Sequence, residues 1–499
     1  MKKVTLTCDQ VVRVHDHIAG RSNPLSAALA DLKAGDGIVV PVEPQTVFHL
    51  EGLFRLARDN GLIAEMQSSQ GLDPRETEFI NDFNHFFLKK SPPSEPNPSS
   101  VLSDLFALLR HGTGALLSHD KSTPVPDSFA SATLIGAYGG EHVGDAAILG
   151  GVLLGLNQDF GTTRATIMSK RPQHTLRLAA KLETPVEVTV EPYGHREISH
   201  AVAQNDALVF AGGPLMDLPR MLVMHLKSAR LAAAMNTPFL VRNVGVGPFK
   251  RKTSRWIAHQ IAGHASVFSV RTKKAAQDSV LAGLDINIGH DPAFDYLASR
   301  KELTLLTEKE KSAVDGIMDT TKKPRLIGLN IRPIRHDWAV KGADFSQNAE
   351  TQFFNECAKA MIAIGKQSDR PVVFVFFPMN PIQLGGSDLE SAYRLQKLLQ
   401  GRADMQVLEA DPDVDGMLYL LRQLDSAITM RFHASIFCLS QGLGTVGIDY
   451  YPGQGGKVEQ LFSDLGKEDL VRRMDQVDAD WMHQSVLDVQ SKDRVETHV

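Results

Sequence analysis

Residues 424–450 read LDSAITMRFHASIFCLSQGLGTVGIDY, and this stretch decides the fold. Residues 426–430 and 444–450 are short apolar runs, and the segment between them has the composition of a buried helix. A strand, a helix and a second strand in this order are typical of a parallel sheet that is covered on both faces. Arg431 and His433 stand where the first strand runs into the helix, and a charge buried there is costly unless something pairs with it.

The same alternation covers most of the chain and predicts an α/β fold with two Rossmann-like domains facing a cleft. We place the first domain at residues 129–300 and the second at 301–499. The predicted strands are 132–139, 164–172, 185–194, 205–217, 238–248, 265–271, 325–333, 371–379, 404–410, 426–430 and 444–450. Predicted helices include 173–182, 219–234 and 253–263.

Residues 1–128 depart from this pattern and are predicted to form an extra N-terminal α/β module, for which the sequence indicates no role. GIVVPV at 37–42 is its clearest predicted strand. The segment KKSPPSEPNPSS at 89–100 is rich in proline and serine and has helical patterns on both sides, so we interpret it as a linker.

Composition narrows the class of protein. The 499 residues are 43% hydrophobic and 22% charged, and the formal net charge of −5 does not favour a nucleic-acid partner. Three widely spaced cysteines favour a reducing compartment, and no signal peptide or transmembrane segment is predicted. We therefore expect a cytoplasmic protein, with peripheral membrane association possible and the oligomeric state unknown.

Arg431 and His433 are the most distinctive local feature of the chain. In an open α/β sheet, ligands bind beyond the carboxyl ends of strands, where helix N-termini also lie. In one interpretation the guanidinium, the imidazole and the amides of the following helix converge on an anion. In the other, Arg431 pairs with Asp425 or Asp449 in the core and His433 caps a carbonyl group. The sequence alone leaves both open.

Two other segments carry candidate ligand-binding residues. Arg332, Arg335 and His336 follow a predicted strand and form either a second basic corner or a solvated turn with local ion pairs. GAYGGEHVGDAAIL at 136–149 is a glycine-rich turn that opens a helix, but it matches neither GxGxxG nor GxxxxGK[ST]. Its glycines indicate a ligand-binding turn or close packing of strand against helix.

Several fragments together resemble the polysaccharide pyruvyl transferase family. They match, in order, its helix-opening GxxNxGDE turn, its strand with two glycines, its SVRD motif followed by DPAF, its RLHA motif and its downstream tyrosine and lysine. In this chain they read GGEHVGDAA (139–147), NDALVFAGG (205–213), SVRT (269–272), DPAF (291–294), RFHA (431–434) and YYPGQGGK (450–457). The resemblance extends over residues 131–465. His142, Ala146, Pro214 and Thr272 depart from the family pattern.

The resemblance implies a fold of the glycosyltransferase-B type and transfer of pyruvate from phosphoenolpyruvate to two hydroxyls of a saccharide, which forms a cyclic ketal. By match to RLHA, Arg431, Phe432 and His433 are donor-binding or catalytic candidates. Because ketal formation needs a proton on the methylene carbon or on the departing phosphate, we assign His433 as the general acid. Asp145 either orients or deprotonates an acceptor hydroxyl or only stabilises its helix N-terminus. The candidate substrate-binding residues are Arg431, Phe432, Arg271, Lys457, Gly140, Gly144, Gly212 and Gly213. Lys457 either contacts the donor phosphate or the acceptor or is an ordinary exposed lysine in a loop. The only partners expected are phosphoenolpyruvate and the saccharide, without metal or cofactor.

Two rival functions fit the same sequence. A glycosyltransferase that uses a nucleotide sugar is compatible with the same scaffold, because fold does not determine function. It requires an acid for the ribose in the C-terminal domain, and no residue is predicted for that role. A catalytically silent relative that binds a glycan or an anion is the second rival, since Thr272 replaces the acid of SVRD.

Overall fold

A computed structural model of the chain describes the following residues: 3–5, 32–33, 36–41, 62–67, 85–90, 123–136, 138, 143–169, 172–215, 218–247, 249, 251–318, 323–333, 347–380, 388–410, 412–450 and 456–491. The chain divides into two compact units. One unit comprises residues 96–301, and the other comprises residues 1–95 together with 302–499.

The N-terminal residues contribute a small mixed sheet. Its strands are β1 (Lys3–Thr5), β2 (Gly37–Pro41), β3 (Leu62–Gln67) and β4 (His85–Lys90), in the order β1-β2-β4-β3. Strand β2 confirms the strand predicted at 37–42. A helical pattern was expected before the linker, but these residues form strand β4 instead. The strand pairs with β2 and β3, and the alternation in FNHFFLKK is compatible with this pairing.

The unit at 96–301 is built on one parallel sheet. Its strands are β5 (Ser131–Ile135), β6 (Arg164–Ser169), β7 (Glu187–Pro192), β8 (Ala207–Ala211), β9 (Pro214–Leu215), β10 (Phe239–Val246), β11 (Val267–Val270) and β12 (Asn287–Ile288). Its helices are α1 (Val143–Phe160), α2 (Pro172–Ala180), α3 (His195–Gln204), α4 (Pro219–Ala234), α5 (Lys252–His264), α6 (Lys273–Ala276) and α7 (Ala293–Ser299), with a 3-10 turn at Ser279–Leu281. The strand order is β12-β11-β10-β8-β5-β6-β7, and β9 pairs with β10.

The C-terminal residues form a second parallel sheet. Its strands are β13 (Arg325–Asn330), β14 (Val372–Phe376), β15 (Asp404–Val407), β16 (Ser426–Thr429), β17 (Gly444–Asp449) and β18 (Val471–Arg473), in the order β15-β14-β13-β16-β17-β18. Its helices are α8 (Glu308–Ile317), α9 (Gln347–Gln367), α10 (Asp388–Leu399), α11 (Val414–Leu421), α12 (Phe432–Ser440), α13 (Lys457–Asp464) and α14 (Ala479–Ser491), with 3-10 turns at Glu468–Leu470 and Met474–Gln476.

Burial follows the position of each strand in its sheet. All residues of β5, β8 and β16, which lie in the middle, are buried, whereas most residues of the edge strand β7 are exposed. Central strands of a parallel sheet are covered on both faces by helices, and this is why they are buried throughout. The predicted fold class of two Rossmann-like sheets with an extra N-terminal sheet is confirmed. The strand predicted at 205–217 is divided into β8 and β9, and the elements that were not predicted include helix α3 and strands β12 and β18.

Within the described ranges, no helix combines the length and the apolar composition needed to cross a bilayer. Cys357 and Cys438 are buried thiols in the core of the C-terminal sheet.

Candidate active site

Both parallel sheets change direction at one point in their strand order. In the C-terminal sheet the chain builds β13, β14 and β15 toward one edge, then returns to the other side of β13 to build β16, β17 and β18. The connections that follow β13 and β16 therefore leave in opposite directions and open a crevice at the carboxyl ends of these two strands. This crevice is the usual ligand position of such sheets. The residues at its walls are Asn330 and Arg332 after β13 and Arg431 after β16.

Asp388 is the centre of the hydrogen-bond network in this crevice. It is the first residue of α10, and its side chain is 0% exposed. The carboxylate accepts bonds from the backbone N–H groups of Met379 (3.0 Å) and Asn380 (3.2 Å) and from Arg431 Nε, which lies 2.8 and 2.7 Å from its two oxygens. Arg431 Nη2 lies 2.6 Å from Oδ1. A buried carboxylate that accepts bonds from this many donors is held in one orientation.

Asn330 joins the network to the end of β13. Its amide nitrogen donates to the Phe377 carbonyl (2.9 Å) and lies 3.4 Å from Asp388 Oδ2. Its amide oxygen accepts a bond from the backbone N–H of Arg431 (3.2 Å). Asn330 thereby fixes the carboxyl ends of β13, β14 and β16 relative to one another, which leaves the crevice with rigid walls.

The Arg431 side chain is therefore paired in the core, but not with a predicted partner. Asp425 accepts the backbone N–H of Leu326 (2.8 Å), and Asp449 accepts that of Glu459 (2.8 Å). The partner is Asp388, so naming Asp425 or Asp449 was wrong. Asp388 binds the Nε edge of Arg431, and among the described residues none contacts Nη1. The pairing thus orients the arginine without occupying all of its donors.

Phe432 and His433 begin α12, directly after the arginine. Phe432 is buried, and its ring meets the His433 ring edge-on at a centroid distance of 5.3 Å. His433 is half-buried. Since α12 starts at the carboxyl end of β16, the imidazole and the first amides of the helix lie beside the crevice, where the positive end of the helix dipole favours an anion.

Arg332 lies on the opposite wall of the crevice. Its side chain is stacked on Tyr450, with the guanidinium carbon 4.6 Å from the ring centroid. Arg332 follows β13 and Tyr450 follows β17, and these strands are separated by β16. The two side chains therefore meet over the carboxyl end of β16. Arg335 and His336, the other members of the predicted basic corner, lie outside the described residues.

Lys457 is exposed and is the first residue of α13. It belongs to a helix rather than to the loop in which we predicted it. No described contact connects it to the Arg431 network, and its role in binding stays a prediction.

The unit at 96–301 has the same change of direction, between β5 and β8. Here the position is filled by Tyr138, which is 0% exposed and donates a hydrogen bond to the Ala211 carbonyl (2.7 Å). Burial raises the pKa of the Tyr138 hydroxyl well above its usual range. The ring lies against Gly136 and Gly212, and a Cβ added at Gly136 would approach the Ala211 oxygen to 2.1 Å.

One of the predicted glycines, Gly212, packs against this ring. Gly212 has φ +68°, and a Cβ there would lie 2.3 Å from Ile148 Cγ2, so backbone and packing both require glycine. Gly213 is half-buried, and Gly144 is buried in the first turn of α1. Asp145 is buried in the same turn, where a carboxylate stabilises the helix dipole. Its catalytic role stays a prediction, and Gly140 and His142 lie outside the described residues.

Arg271 is held in a buried ion pair. Its Nη1 donates to Asp291 Oδ2 (2.8 Å), and the two side chains are 6% and 3% exposed. Asp291 also accepts the backbone N–H of Ala293 (3.1 Å) and so begins α7. Thr272 caps α6 by accepting the backbone N–H of Ala275 (3.1 Å), the bond that an aspartate would accept at this position. The departure from SVRD thus preserves the local structure.

Neither a reactive thiol nor a metal cluster is found near the site among the described residues. Cys438 is buried in the core, and burial raises the pKa of its thiol. Over the described part of the chain, no three His, Cys, Asp or Glu side chains are grouped so as to hold a metal ion. That the reaction uses no metal or cofactor stays a prediction.

Asp388, which accepts hydrogen bonds from Met379, Asn380 and Arg431, was not predicted from the sequence. Its signal was present but weak: a glycine pair at 385–386 followed by an aspartate is typical of a helix N-terminus. Nothing local connects it to an arginine 43 positions later.

The comparisons agree with the motifs quoted above. The sequence model of the family described as polysaccharide pyruvyl transferase matches residues 142–451, which is more than half of the chain. No curated protein matches the chain in sequence.

Many solved structures resemble the chain at low identity. A UDP-GlcNAc 2-epimerase from Neisseria meningitidis is 12% identical with a TM-score of 0.43, over 73% of this chain and 92% of that one. MurG from Acinetobacter baumannii is 13% identical (TM-score 0.39, 73% and 91% covered). The ADP-heptose LPS heptosyltransferase II of E. coli is 12% identical (TM-score 0.39, 73% and 100% covered). Similarity at this level says nothing about the reaction.

Proposed function

The chain belongs to the polysaccharide pyruvyl transferase family, and from this membership we propose that it transfers pyruvate from phosphoenolpyruvate to two hydroxyls of a saccharide, with formation of a cyclic ketal. The observation that carries the proposal is the position of the family's arginine and histidine. Arg431 and His433 lie at the crevice between β13 and β16, where an α/β sheet binds its ligand.

The donor has two anionic groups, a carboxylate and a phosphate, on a small carbon frame. Arg431 suits one of them because its guanidinium is a planar fork of donors that matches either group. Asp388 holds the Nε edge of this fork, so the remaining edge has a fixed orientation before the donor arrives. Preorganisation of this kind lowers the cost of binding.

The reaction needs one proton at the donor's methylene carbon. Its addition forms a methyl group and leaves an oxocarbenium-like centre at the adjacent carbon, which the first saccharide hydroxyl attacks. Phosphate then leaves with the bonding electrons, and the second hydroxyl attacks the same carbon and closes the ring. The hydroxyls release two protons, which balance the one taken by the methyl group and one available to the departing phosphate.

We assign the proton transfer to His433. A histidine titrates near neutral pH and so serves as acid and base in one cycle. It begins α12 beside Arg431, so it is adjacent to a donor bound in the crevice. Arg271, Lys457 and Asp145 keep the binding and acceptor roles that the family motifs imply, and we expect the reaction to take place in the cytoplasm without metal or cofactor.

The first experiment is ligand-induced thermal stabilisation of the full chain with phosphoenolpyruvate and, separately, with a panel of nucleoside diphosphates. A ligand at about 100 times its dissociation constant adds about 2.7 kcal/mol to the free energy of unfolding. Stabilisation by phosphoenolpyruvate that Arg431→Ala abolishes supports the proposal. Stabilisation by a nucleotide instead would favour a glycosyltransferase.

The second experiment tests the proton transfer. With an acceptor identified from a saccharide panel, His433→Asn is expected to lower kcat by about 10²–10⁴-fold, the usual contribution of a general acid. His483→Asn, which changes a half-buried histidine of α14 in the same unit, is the matched control and should keep its activity. Undiminished transfer by a folded His433→Asn would remove His433 from the mechanism.

A further inference from the structure

One residue inside a strand of the unit at 96–301 has a backbone conformation that strands rarely contain. Asn243 lies within β10 and has φ +51°, in the left-handed region. The other described non-glycine residues with positive φ are Asn236, Lys323 and Gln400, and none of these three lies in a strand or a helix. A conformation of this kind persists only where its surroundings fix it, and such residues cluster at functional sites.

The conformation belongs to a bulge in β10. The register of β10 against β11 shifts between Val241 and Val244, so that Arg242 and Asn243 together stand opposite Ser269. Bulges are rare between parallel strands, and next to active sites they turn a side chain in a new direction. Glycine would adopt the same backbone without strain, so what asparagine contributes at this position is its side chain.

The bulge lies level with the carboxyl ends of three strands. Arg242 pairs with Ala211, the last residue of β8, and β11 and β12 end beside the bulge. Arg271, the arginine of the SVR motif, follows β11 and donates its backbone N–H to the Val244 carbonyl (3.1 Å). The bulge therefore lies at the edge of the sheet where α/β proteins bind their ligands, next to a residue that the family motifs already assign to the substrate.

Ser269 holds the Asn243 amide in one orientation. Its Oγ accepts the backbone N–H of Asn243 (2.9 Å) and donates to the side-chain Oδ1 (3.0 Å). Gly289, directly after β12, leaves room for this amide, because a Cβ there would lie 2.3 Å from Oδ1. Nδ2 of Asn243 carries two N–H donors and has no hydrogen-bond partner among the described residues.

We propose that Asn243 binds the saccharide acceptor and donates a hydrogen bond from Nδ2 to one of its oxygens. The inference rests on the proposed function and adds a specificity-determining residue for the acceptor. Saccharide hydroxyls are uncharged and are recognised by directed hydrogen bonds, for which a neutral amide held in one orientation is suited. The donor is an anion and requires compensating positive charge, which an amide does not supply.

Saturation kinetics of the full chain test this assignment. Phosphate release is measured with phosphoenolpyruvate and a panel of methyl glycosides of hexoses and N-acetylhexosamines, with one glycoside varied at a time. Asn243→Asp keeps the oxygen that Ser269 binds and tolerates the same φ, but it lacks the N–H donors. It should raise KM for the glycoside by about 2- to 12-fold, the net effect of one neutral hydrogen bond. Thermal stabilisation by phosphoenolpyruvate should not change.

A second variant and a matched control keep the test sharp. Asn243→Gly adopts the left-handed backbone without strain and should raise KM by the same factor, and it replaces Asn243→Asp if that variant does not fold. Asn236 is an exposed asparagine of the same unit with nearly the same φ, +55°, directly beyond α4. Asn236→Asp and Asn236→Gly should therefore keep the KM of the wild type.

The outcomes separate this inference from the proposed function. If folded Asn243 variants keep the KM of the wild type for the glycoside while Arg431→Ala abolishes stabilisation by phosphoenolpyruvate, the role of Asn243 is overturned and the proposed function stands. If they weaken binding of phosphoenolpyruvate and not of the glycoside, Asn243 serves the donor and the inference is equally overturned. If the wild type is not stabilised by phosphoenolpyruvate and releases no phosphate with any glycoside, the proposed function is overturned and the inference falls with it.

Discussion

Each parallel sheet of this protein has one switch, the point at which its strand order changes direction: one lies between β5 and β8, and the other between β13 and β16. The two switches have the same topology but are filled by different kinds of side chain. Between β5 and β8 the position is filled by the ring of Tyr138, packed on Gly136 and Gly212. Between β13 and β16 it is lined by Arg431, Asp388 and neighbouring polar groups. The first position is closed by the packing of an aromatic ring, and the second carries a network of charged and amide groups.

The difference teaches that topology supplies a place for a ligand but not the ligand site itself. A crevice forms wherever successive connections leave a sheet in opposite directions. What occupies it depends on whether the flanking residues bury apolar surface or satisfy polar groups. In this chain, Gly136 after β5 and Gly212 after β8 accommodate the ring of Tyr138, and this packing explains why glycine is needed at both positions.

The largest loss of stability is expected at the buried ion pair between Arg431 and Asp388. Arg431→Met leaves the fully buried carboxylate of Asp388 without its cation, and breaking a buried pair in this way costs about 3–5 kcal/mol of unfolding free energy. Urea denaturation measures it. Adding Asp388→Asn should restore part of the loss, because no charge is then left buried.

The control for this prediction is a surface pair in the same unit. Arg370 lies 3.4 Å from Asp425, with side chains 45% and 37% exposed, and Arg370→Met should cost at most about 1 kcal/mol. If Arg431→Met lowers the free energy of unfolding by no more than Arg370→Met does, the ion pair between Arg431 and Asp388 does not stabilise the switch between β13 and β16.

The next effect concerns the packed switch. Gly212→Ala should destabilise by at least about 2 kcal/mol, because a left-handed backbone costs about 1–2 kcal/mol and the overpacking against Ile148 about 1–3 kcal/mol. Gly161 has nearly the same φ, +70°, and open space around its Cα hydrogens, so Gly161→Ala shows the backbone cost alone. Equal losses in the two variants would show that close packing at Gly212 contributes nothing.

A smaller effect comes from the hydroxyl that completes this packing. Tyr138→Phe removes the bond to the Ala211 carbonyl and should cost about 1 kcal/mol at pH 7. Burial raises the folded-state pKa of Tyr138 above the unfolded value of about 10, so its contribution is complete below that pH and is lost as pH rises toward the folded pKa.

Denaturant unfolding at several alkaline pH values checks the direction of this pH dependence. The stability of the wild type should fall relative to Tyr138→Phe above about pH 10, by up to about 1.4 kcal/mol per pH unit. Other buried tyrosines titrate in both proteins and cancel in the difference. A constant difference across this range would mean that Tyr138 is not the buried acid that we describe.

The smallest effect is expected at a departure from the family pattern. Thr272→Asp exchanges one helix cap for another and should change stability by less than about 0.5 kcal/mol, whereas Thr272→Ala removes the bond to Ala275 and should cost about 1 kcal/mol. Circular dichroism during thermal unfolding compares the two. A large loss in Thr272→Asp would show that the threonine has a role beyond the cap.

Much of the fold was predictable because its signals are local. The helix predicted at 219–234 is α4 (Pro219–Ala234), and the opening stretch folds as β16, α12 and β17. Periodicity and apolar runs report burial within a few residues, so they are readable without a structure. The short strands β12 and β18 escaped prediction since two or three residues carry no period.

The candidate site was only half predictable, and the reason is distance along the chain. The sequence by itself determined the alternation of strands and helices, and with it that Arg431 and His433 follow a central strand. Only the tertiary structure decided that Asp388 binds that arginine, that Arg332 meets Tyr450, and that Tyr138 closes the other switch. Each partner is far away in sequence, and the sheet, through the order of its strands, brings the two together.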